Sequence, residues 1–579
     1  MERQVYEFIA AQTGEKIVER RKCPVCGQEF AITDKDLEFY SKISPVFKGS
    51  KYEIPAPTLC PDCRQQRRLA RRSRVKLYKR KCDATGKTII SMFSPDGWYK
   101  VYHTKIWESD SWNPKDYWMD FDFTRSFFEQ FDELLKNTPL PHLAIIEATL
   151  ENSDYVNWAN SVKNSYLSSN LVNSENVYYS EDVYNSDNCV DCLSLTKSAN
   201  CFECVSSINL YNCEYLYECE DCRDSIYLEF CKWCNNCIGC VWLINKQYCI
   251  FNNQYTEQEY KDLAEKLIIQ EITQHIEKLR LDFPYAYAKI INSENAFGNN
   301  IINSKNITNS FDISNSENIK DSIFVVDNSK DCHDISFWGQ NISLCYEWAA
   351  IWLSSNKVLF SAETYDNIKN AYYCYFCYPN CSNIFGCVWL RNAEFCILNK
   401  QYTKEEYENL VPKIIEYMQK TLERWEFFPG SISPFGYNET ADNEYFPLSR
   451  DEAIAKWFKW QDKEYPINVP DWIELVKWQD LPENINDVDD EILKKAVICE
   501  VSWKPFRIVK PELEFYRKHW LSLPRKHPDI RYLRRIQKKP QKSLYLRACS
   551  NCSKQVISVY PADSEFRIYC QDCYNKENY

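Results

Sequence analysis

Two sets of four cysteines are spaced to hold a metal ion. Cys23 and Cys26 form one C-x2-C pair and Cys60 and Cys63 another, and Cys549, Cys552, Cys570 and Cys573 repeat the arrangement near the far end of the 579-residue chain. Two thiolate pairs close a tetrahedral shell around one ion, the usual surroundings of structural zinc, whereas a catalytic zinc keeps one position open for water. The six histidines, at 103, 142, 275, 333, 519 and 527, show no zinc-hydrolase spacing, and a chain with only 11 glycines has few loops able to cradle phosphate. No nucleophile with a base and no carboxylate pair stands out. The residues therefore predict two structural zinc ions, no catalytic residue and no organic cofactor.

Each tetrad adjoins a basic island. Arg64 to Lys81 holds ten bases and no acid, and Arg525 to Arg547 holds nine bases against Asp529; these islands of +10 and +8 sit in a chain of net charge −12, so the remainder is near −30. Arg64, Arg67, Arg68, Arg71, Arg72 and Arg74, and at the other end Arg531, Arg534 and Arg535, fall on helices that start at zinc knuckles. Helical clusters of this kind neutralise phosphates with salt-dependent affinity, which predicts contact with RNA or DNA, a ribonucleoprotein above all. The competing expectation is that the same arginines dock on the acidic body of their own chain.

The two ends are copies. At an offset of 467, Cys60-Pro61-Asp62 aligns with His527-Pro528-Asp529, Arg64, Arg67 and Arg68 with Arg531, Arg534 and Arg535, and Cys82, Thr85, His103 and Ile106 with Cys549, Cys552, Cys570 and Cys573. Upstream the offset is 476, pairing Cys23 with Cys499, Cys26 with Ser502 and Phe39-Tyr40 with Phe515-Tyr516. Each end is thus a tandem of two ribbon modules, one with four ligands and one degenerate (Cys82 with His103, and Cys499 with His527). The degenerate pairs read as packing relics rather than metal sites.

The first module, CPVCGQEFAITDKDLEFY…PTLCPDCRQQRR, resembles a zinc-ribbon domain found in many bacterial proteins, with an insertion between Tyr40 and Leu59. Over its whole length the chain resembles a group of large multi-zinc-ribbon proteins of uncultured bacteria. That resemblance implies architecture and zinc, not an activity.

Between the ends the text repeats every 12 residues. The fifth position reads Asn176, Asn188, Asn200, Asn212, Asp224, Asn236 and the second Asn173, Asn185, Lys197, Asn209, Asp221. A short fixed period marks stacked coils, and Asn suits left-handed corners. Positions 3, 6, 9 and 12 carry small or aliphatic groups, as in Ser186, Cys189, Cys192 and Leu195, and are expected to fill a narrow interior. Tyr178, Tyr179, Phe202, Tyr215 and Tyr227 fall between them and are expected to point outward. The coil length resembles that of beetle antifreeze solenoids, without their threonine face, and the rhythm is not the hexapeptide rhythm of acyltransferase solenoids. Cys231, Cys234, Cys237 and Cys240 lack the ending of a ferredoxin motif and all occupy inward positions, so they read as core.

The array recurs at an offset of 147, Gly239 answering Gly386, and capping boxes at Thr256 with Glu259 and Thr403 with Glu406 predict a closing helix for each copy. The fold expected is multi-domain and mostly β: a ribbon tandem at 1–110, an aromatic helical linker at 111–148, solenoids with capping helices at 149–280 and 281–425, a Trp-rich domain at 426–498 whose tryptophans act as packing anchors, and a second tandem at 499–579. Without an export signal or a long apolar run, 29 cysteines predict a cytoplasmic, non-membrane protein. The functions expected are nucleic-acid binding through the ribbons, or a protein assembly platform on the solenoid surface, or a thiol and metal buffer.

Overall fold

Left-handed backbone recurs at every third residue through both arrays, and it decides their shape. In the coil Tyr184–Leu195, Asn185, Asn188, Asp191 and Ser194 have φ of 51°, 51°, 54° and 55°. Each corner turns the chain, and the residue after it, Ser186, Cys189, Cys192 or Leu195, points inward and is buried. A coil thus has four sides of three residues. The sequence pattern marked two of its four corners; the other two vary among Asp, Glu, Ser, Tyr and Phe and so show no single recurring residue.

This computed structural model describes residues 2–578 except 75, 352, 365 and 466–468. Stacked coils form almost wholly parallel sheets, of 13 strands between Leu150 and Gln254 and 12 strands between Ile290 and Gln401. Cys189, Cys201 and Cys213 lie directly above one another in register. The second array is less regular. Its coil at Phe297–Gly298 slips register against the next, and Gly298 is required there because a Cβ would meet the Ser310 carbonyl at 1.8 Å.

Hydrogen bonding explains why Ser and Cys stand among the aliphatic side chains of the interior. Of the three N–H groups on a side, the first and second reach carbonyls of adjacent coils, as Asp187 to Ser198 (3.0 Å) and Asn185 to Val172 (2.9 Å) do. The third belongs to the inward residue and needs a side-chain acceptor. Inward serines supply it: Ser180 Oγ accepts from Cys192 N–H (2.9 Å), Ser198 Oγ from Leu210 (3.0 Å) and Ser225 Oγ from Cys237 (3.1 Å). The same hydroxyl donates to the carbonyl two residues back, as Ser198 does to Thr196 at 2.9 Å. Cysteine does both less strongly: Cys231 Sγ donates to Glu229 O (3.3 Å) and accepts from Leu243 N–H (3.4 Å). An unpaired buried N–H is costly, so small side chains that both donate and accept are favoured over pure hydrocarbons.

Both closing helices begin at their capping boxes, Glu257–Ala264 after Thr256 and Lys404–Lys420 after Thr403. The aromatics of the first array point out of the coil as expected, yet Tyr178, Tyr179 and Phe202 are buried, because Leu481, Ile485, Phe515 and Tyr516 cover them. No helix of the described residues is long and apolar enough to cross a membrane.

The chain divides into two compact units that interleave along the sequence: residues 1–142, 284–461 and 541–579 form one, and 143–283 with 462–540 the other. The second array therefore belongs with the N-terminal ribbon tandem, and the first with the degenerate ribbon module at 499–540. The C-terminal tandem, expected as one domain at 499–579, is divided between the units, as is the Trp-rich stretch expected at 426–498. Its tryptophans also differ from expectation: Trp457 and Trp472 are 75% and 76% exposed.

Replacing Ser198 by Val is expected to leave the Leu210 amide unpaired at a cost of about 1–3 kcal/mol. Hydrogen exchange at Leu210 should accelerate in that variant, and much less in Ser198→Cys.

Candidate metal centres and their arginine helices

All four ribbon modules share one turn. The N–H groups of Cys23, Cys82, Cys499 and Cys549 donate to the carbonyls of Gln28, Lys87, Lys504 and Lys554 at 2.8–3.1 Å, and the residue closing each knuckle, Gly27, Gly86, Trp503 or Ser553, is left-handed. The knuckle closes a hairpin such as Ile17–Lys22 with Glu29–Thr33, or Tyr545–Ala548 with Gln555–Ser558. The same turn is thus found in the modules with four ligands and in those without.

In the two intact modules the sulfurs converge. Those of Cys23, Cys26, Cys60 and Cys63 all lie within 4.8 Å of one another, as do those of Cys549, Cys552, Cys570 and Cys573. Cys26 and Cys60 Sγ are 3.6 Å apart and Cys552 and Cys570 Sγ 3.7 Å. A tetrahedral ion with sulfur bonds near 2.3 Å requires edges of about 3.8 Å, while a disulfide would bring the pair to about 2.05 Å. The donor set fits a closed four-thiolate shell. Its electrostatics point the same way: Cys60, hydrogen-bonded by Cys63, is brought down to about 6, while the Cys63 thiol is held well up by that same bond and burial pushes Cys26 up to about 11. Four crowded sulfurs ionise together only around a cation.

The degenerate modules replace the ligand with a cap. His103 and His527 stand where the intact modules have Cys60 and Cys570, and each accepts on Nδ1 from the N–H two residues on, Lys105 or Asp529, at 3.2 Å. They are helix N-caps, not relics. Cys499 keeps its thiol, which is brought down because hydrogen bonds from Ser502 and Val501 outweigh the upward push of burial. Both intact tetrads lie in the unit built around the second array; the arginine helix Pro528–Lys538 of the other unit starts at His527, outside any four-thiol set.

The arginines expected to meet phosphate are turned inward instead. Arg64, Arg68, Arg71, Arg72, Arg74, Arg531 and Arg535 are all buried. Arg64 donates from Nε to Asp334 and from Nη2 to Asp321, both at 3.0 Å. Arg68 Nη1 meets Asp334 at 2.9 Å and Glu347 at 3.2 Å, and Arg67 bridges Glu347 (3.1 Å) and Glu426 (3.0 Å). The other unit repeats the pattern: Arg531 and Arg535 pair with Asp191, the latter at 2.7 Å, and Arg534 pairs with Glu203. Among the described residues Arg71 has no carboxylate at hydrogen-bond distance; its guanidinium lies over Phe428 (4.7 Å) and Tyr375 (5.1 Å), and burial lowers its pKa.

The carboxylates are corner residues. Asp321, Asp334 and Glu347 are left-handed and follow one another by one coil, as do Asp191 and Glu203. Burial and the neighbouring Asp334 push Asp321 up to about 6, while Asp334, despite burial, is held below the usual range by Arg64 and Arg68. Sequence reasoning followed the Asn corners and the inward positions and passed over these; acids recurring at a third corner, spaced 12 or 13 residues apart, were the available signal.

The solenoid thiols form no comparable centre. Among the described residues, no set of three or more array cysteines closes to within 4.8 Å. Cys231 and Cys219 are buried, and burial holds their pKa well up.

No family model and no curated protein matches this chain. Among solved structures, one assigned as an acetyltransferase from Desulfovibrio desulfuricans G20 is similar at 9% identity and a TM-score of 0.09, over 42% of this chain and 65% of that one. This chain thus spans less than two thirds of that protein, and so loose a match supports no argument about fold or activity.

A chelator that strips metal from the two tetrads is expected to act unequally. Amides of the 17–33 and 545–573 hairpins should lose protection from hydrogen exchange, while those of the hairpin at 495–506 keep it. Separately, Arg68→Met should cost about 3–5 kcal/mol by leaving Asp334 and Glu347 buried and under-compensated, seen as a lower unfolding midpoint for the unit containing the second array.

Proposed function

We propose that the chain is a non-enzymatic scaffold, braced by two structural zinc ions, whose arrays and ribbon modules present binding surfaces to protein partners. The observation that carries this reading is the burial of both arginine helices against corner carboxylates: the charge that would serve phosphate recognition is consumed in holding each array to its ribbon. Zinc suits a closed set of four thiolates with no position left for water, and such a site contributes folding energy rather than chemistry.

Further features support the same conclusion. His142 and His333 are buried and pushed down to about 3 and about 4, by desolvation above all, so both imidazoles stay neutral near pH 7. His333 stacks on Phe39 at 3.6 Å, a packing role. Exposed tryptophans at 98, 457, 472, 503 and 520 supply the aromatic surface that protein interfaces favour. Thiols as buried as those of the arrays suit a core better than a metal buffer, and a reducing compartment such as the cytoplasm would keep them reduced.

Purification from the native host in mild salt should recover protein partners that persist after nuclease treatment, and metal analysis should find about two zinc per chain. Retention of RNA or DNA with steep salt dependence would overturn the reading.

A further inference from the structure

The basic series of the two ribbons continue past the arginines paired above, and there the units differ. Arg71 corresponds to Lys538 at the 467-residue offset. Tyr375 corresponds to Glu229, since each bridges to a valine on the next coil, Val388 or Val241, and those valines align at the 147-residue offset. In the unit of the first array the acid is in use. Arg280 Nε donates to Glu229 at 2.6 Å, and burial lowers the Lys538 pKa against the upward pull of Glu203 and Glu229. In the unit of the second array a tyrosine stands where that acid would be.

Arg71 is 1% exposed and Tyr375 is wholly buried. Phe428 and Tyr375 lie over the guanidinium. Cation–π contact meets such a group on its flat side, whereas its five N–H donors point outward in the plane. Among the described residues Nε, Nη1 and Nη2 of Arg71 are buried with no hydrogen-bond partner, and so is the Tyr375 hydroxyl. The charge is not shed, because arginine keeps its proton in proteins. Asp132 and Glu363 bear on Arg71, neither within ion-pair distance, and Asp132 is bonded by Lys136. Burial also pushes the nearby Lys459 down to about 8, against Asp132 and with the help of Lys136 and Arg71. Three cations, Arg71, Lys136 and Lys459, thus share this place with two acids, Asp132 and Glu363, which leaves one positive charge in excess.

We infer that Arg71 and Tyr375 bind a small planar oxyanion of the carboxylate or bicarbonate class, buried beside the second array in place of the carboxylate that Glu229 supplies to the other unit. The guanidinium fork takes two oxygens in its plane, and the tyrosine hydroxyl donates to the anion as well. The anion also cancels the excess charge. Water satisfies N–H donors but leaves a buried charge uncompensated. This site goes beyond the scaffold reading and does not depend on it.

The test uses the full chain, with sodium formate as the probe, exchanged for sodium chloride at constant ionic strength. Hydrogen exchange of the amides at 371–376 reports opening of the coil. In the wild type, tenfold more formate is expected to slow that exchange about tenfold once the site is filled, because opening releases the ion. Tyr375→Phe removes one hydroxyl and should raise the formate concentration required about tenfold. Arg71→Met should abolish the dependence, and so should Tyr375→Glu, which restores the acid of the other unit. A wild type indifferent to formate overturns the inference, as does a response unchanged in Arg71→Met. If Arg71→Met fails to fold, a response unchanged in Tyr375→Phe overturns it equally. A crystal structure grown in formate should show the ion against the guanidinium; water alone there would overturn the inference too.

Discussion

A turn of α-helix and a step of stacked β-coils are nearly the same length, about 5.4 Å against about 4.8 Å. Arginines placed three or four residues apart on one helix therefore meet carboxylates placed one coil apart on a solenoid edge, each within hydrogen-bond reach. Arg64, Arg67 and Arg68 climb past Asp321, Asp334 and Glu347 in this way, and Arg531, Arg534 and Arg535 past Asp191 and Glu203. The match is geometric before it is electrostatic. Guanidinium forks supply several donors in a plane, so one arginine can satisfy two carboxylates on successive coils, which lysine as a point charge does less well. Beside this alignment, aromatic rings of each ribbon pack on its array, Phe39 on Tyr346 and Phe515 on Phe202.

The coils that carry those carboxylates obey a tighter rule inside. Four inward side chains fill a narrow cross-section, which admits an indole ring at Trp348 where Ser361 stands on the next coil, and one N–H per side has no backbone partner. Serine meets both demands. Cysteine meets the first fully and the second in part, and its greater volume and weaker polarity let it replace serine where packing matters more. Cysteine richness of this degree need not signal disulfides when the thiols serve as small core side chains of a narrow coil.

Much of this was legible in the residues. Asn at two corners and small groups at every third position identified the arrays, and the two tetrads announced the metal centres, because each depends on local spacing alone. What could not be read depends on partners far away in the chain. Asp191 and Glu203 look like ordinary surface acids until an arginine helix more than 300 residues later is brought beside them. The burial of Tyr178 and Phe202 likewise follows from a cover that local pattern does not contain. A cluster such as Arg64 to Arg74 reads as a phosphate-binding surface whenever its counter-charges are spread thinly through an acidic remainder.

The interleaving of the units gives the duplicated modules unequal duties. The N-terminal tandem and the intact C-terminal module both belong to the unit around the second array, so that unit holds both tetrads, while the first array is braced by the degenerate module together with Leu481 and Ile485. In the degenerate module at 499–540 the knuckle turn survives, His527 caps the helix in place of a thiolate, and the arginines still dock. Loss of metal is tolerated because the ion and the array restrain the same helix from opposite sides: the thiolates fix where it begins, and the carboxylates fix the face it presents. With the second restraint complete, the first becomes dispensable, and Cys26 and Cys60 could drift to Ser502 and His527 without releasing the helix.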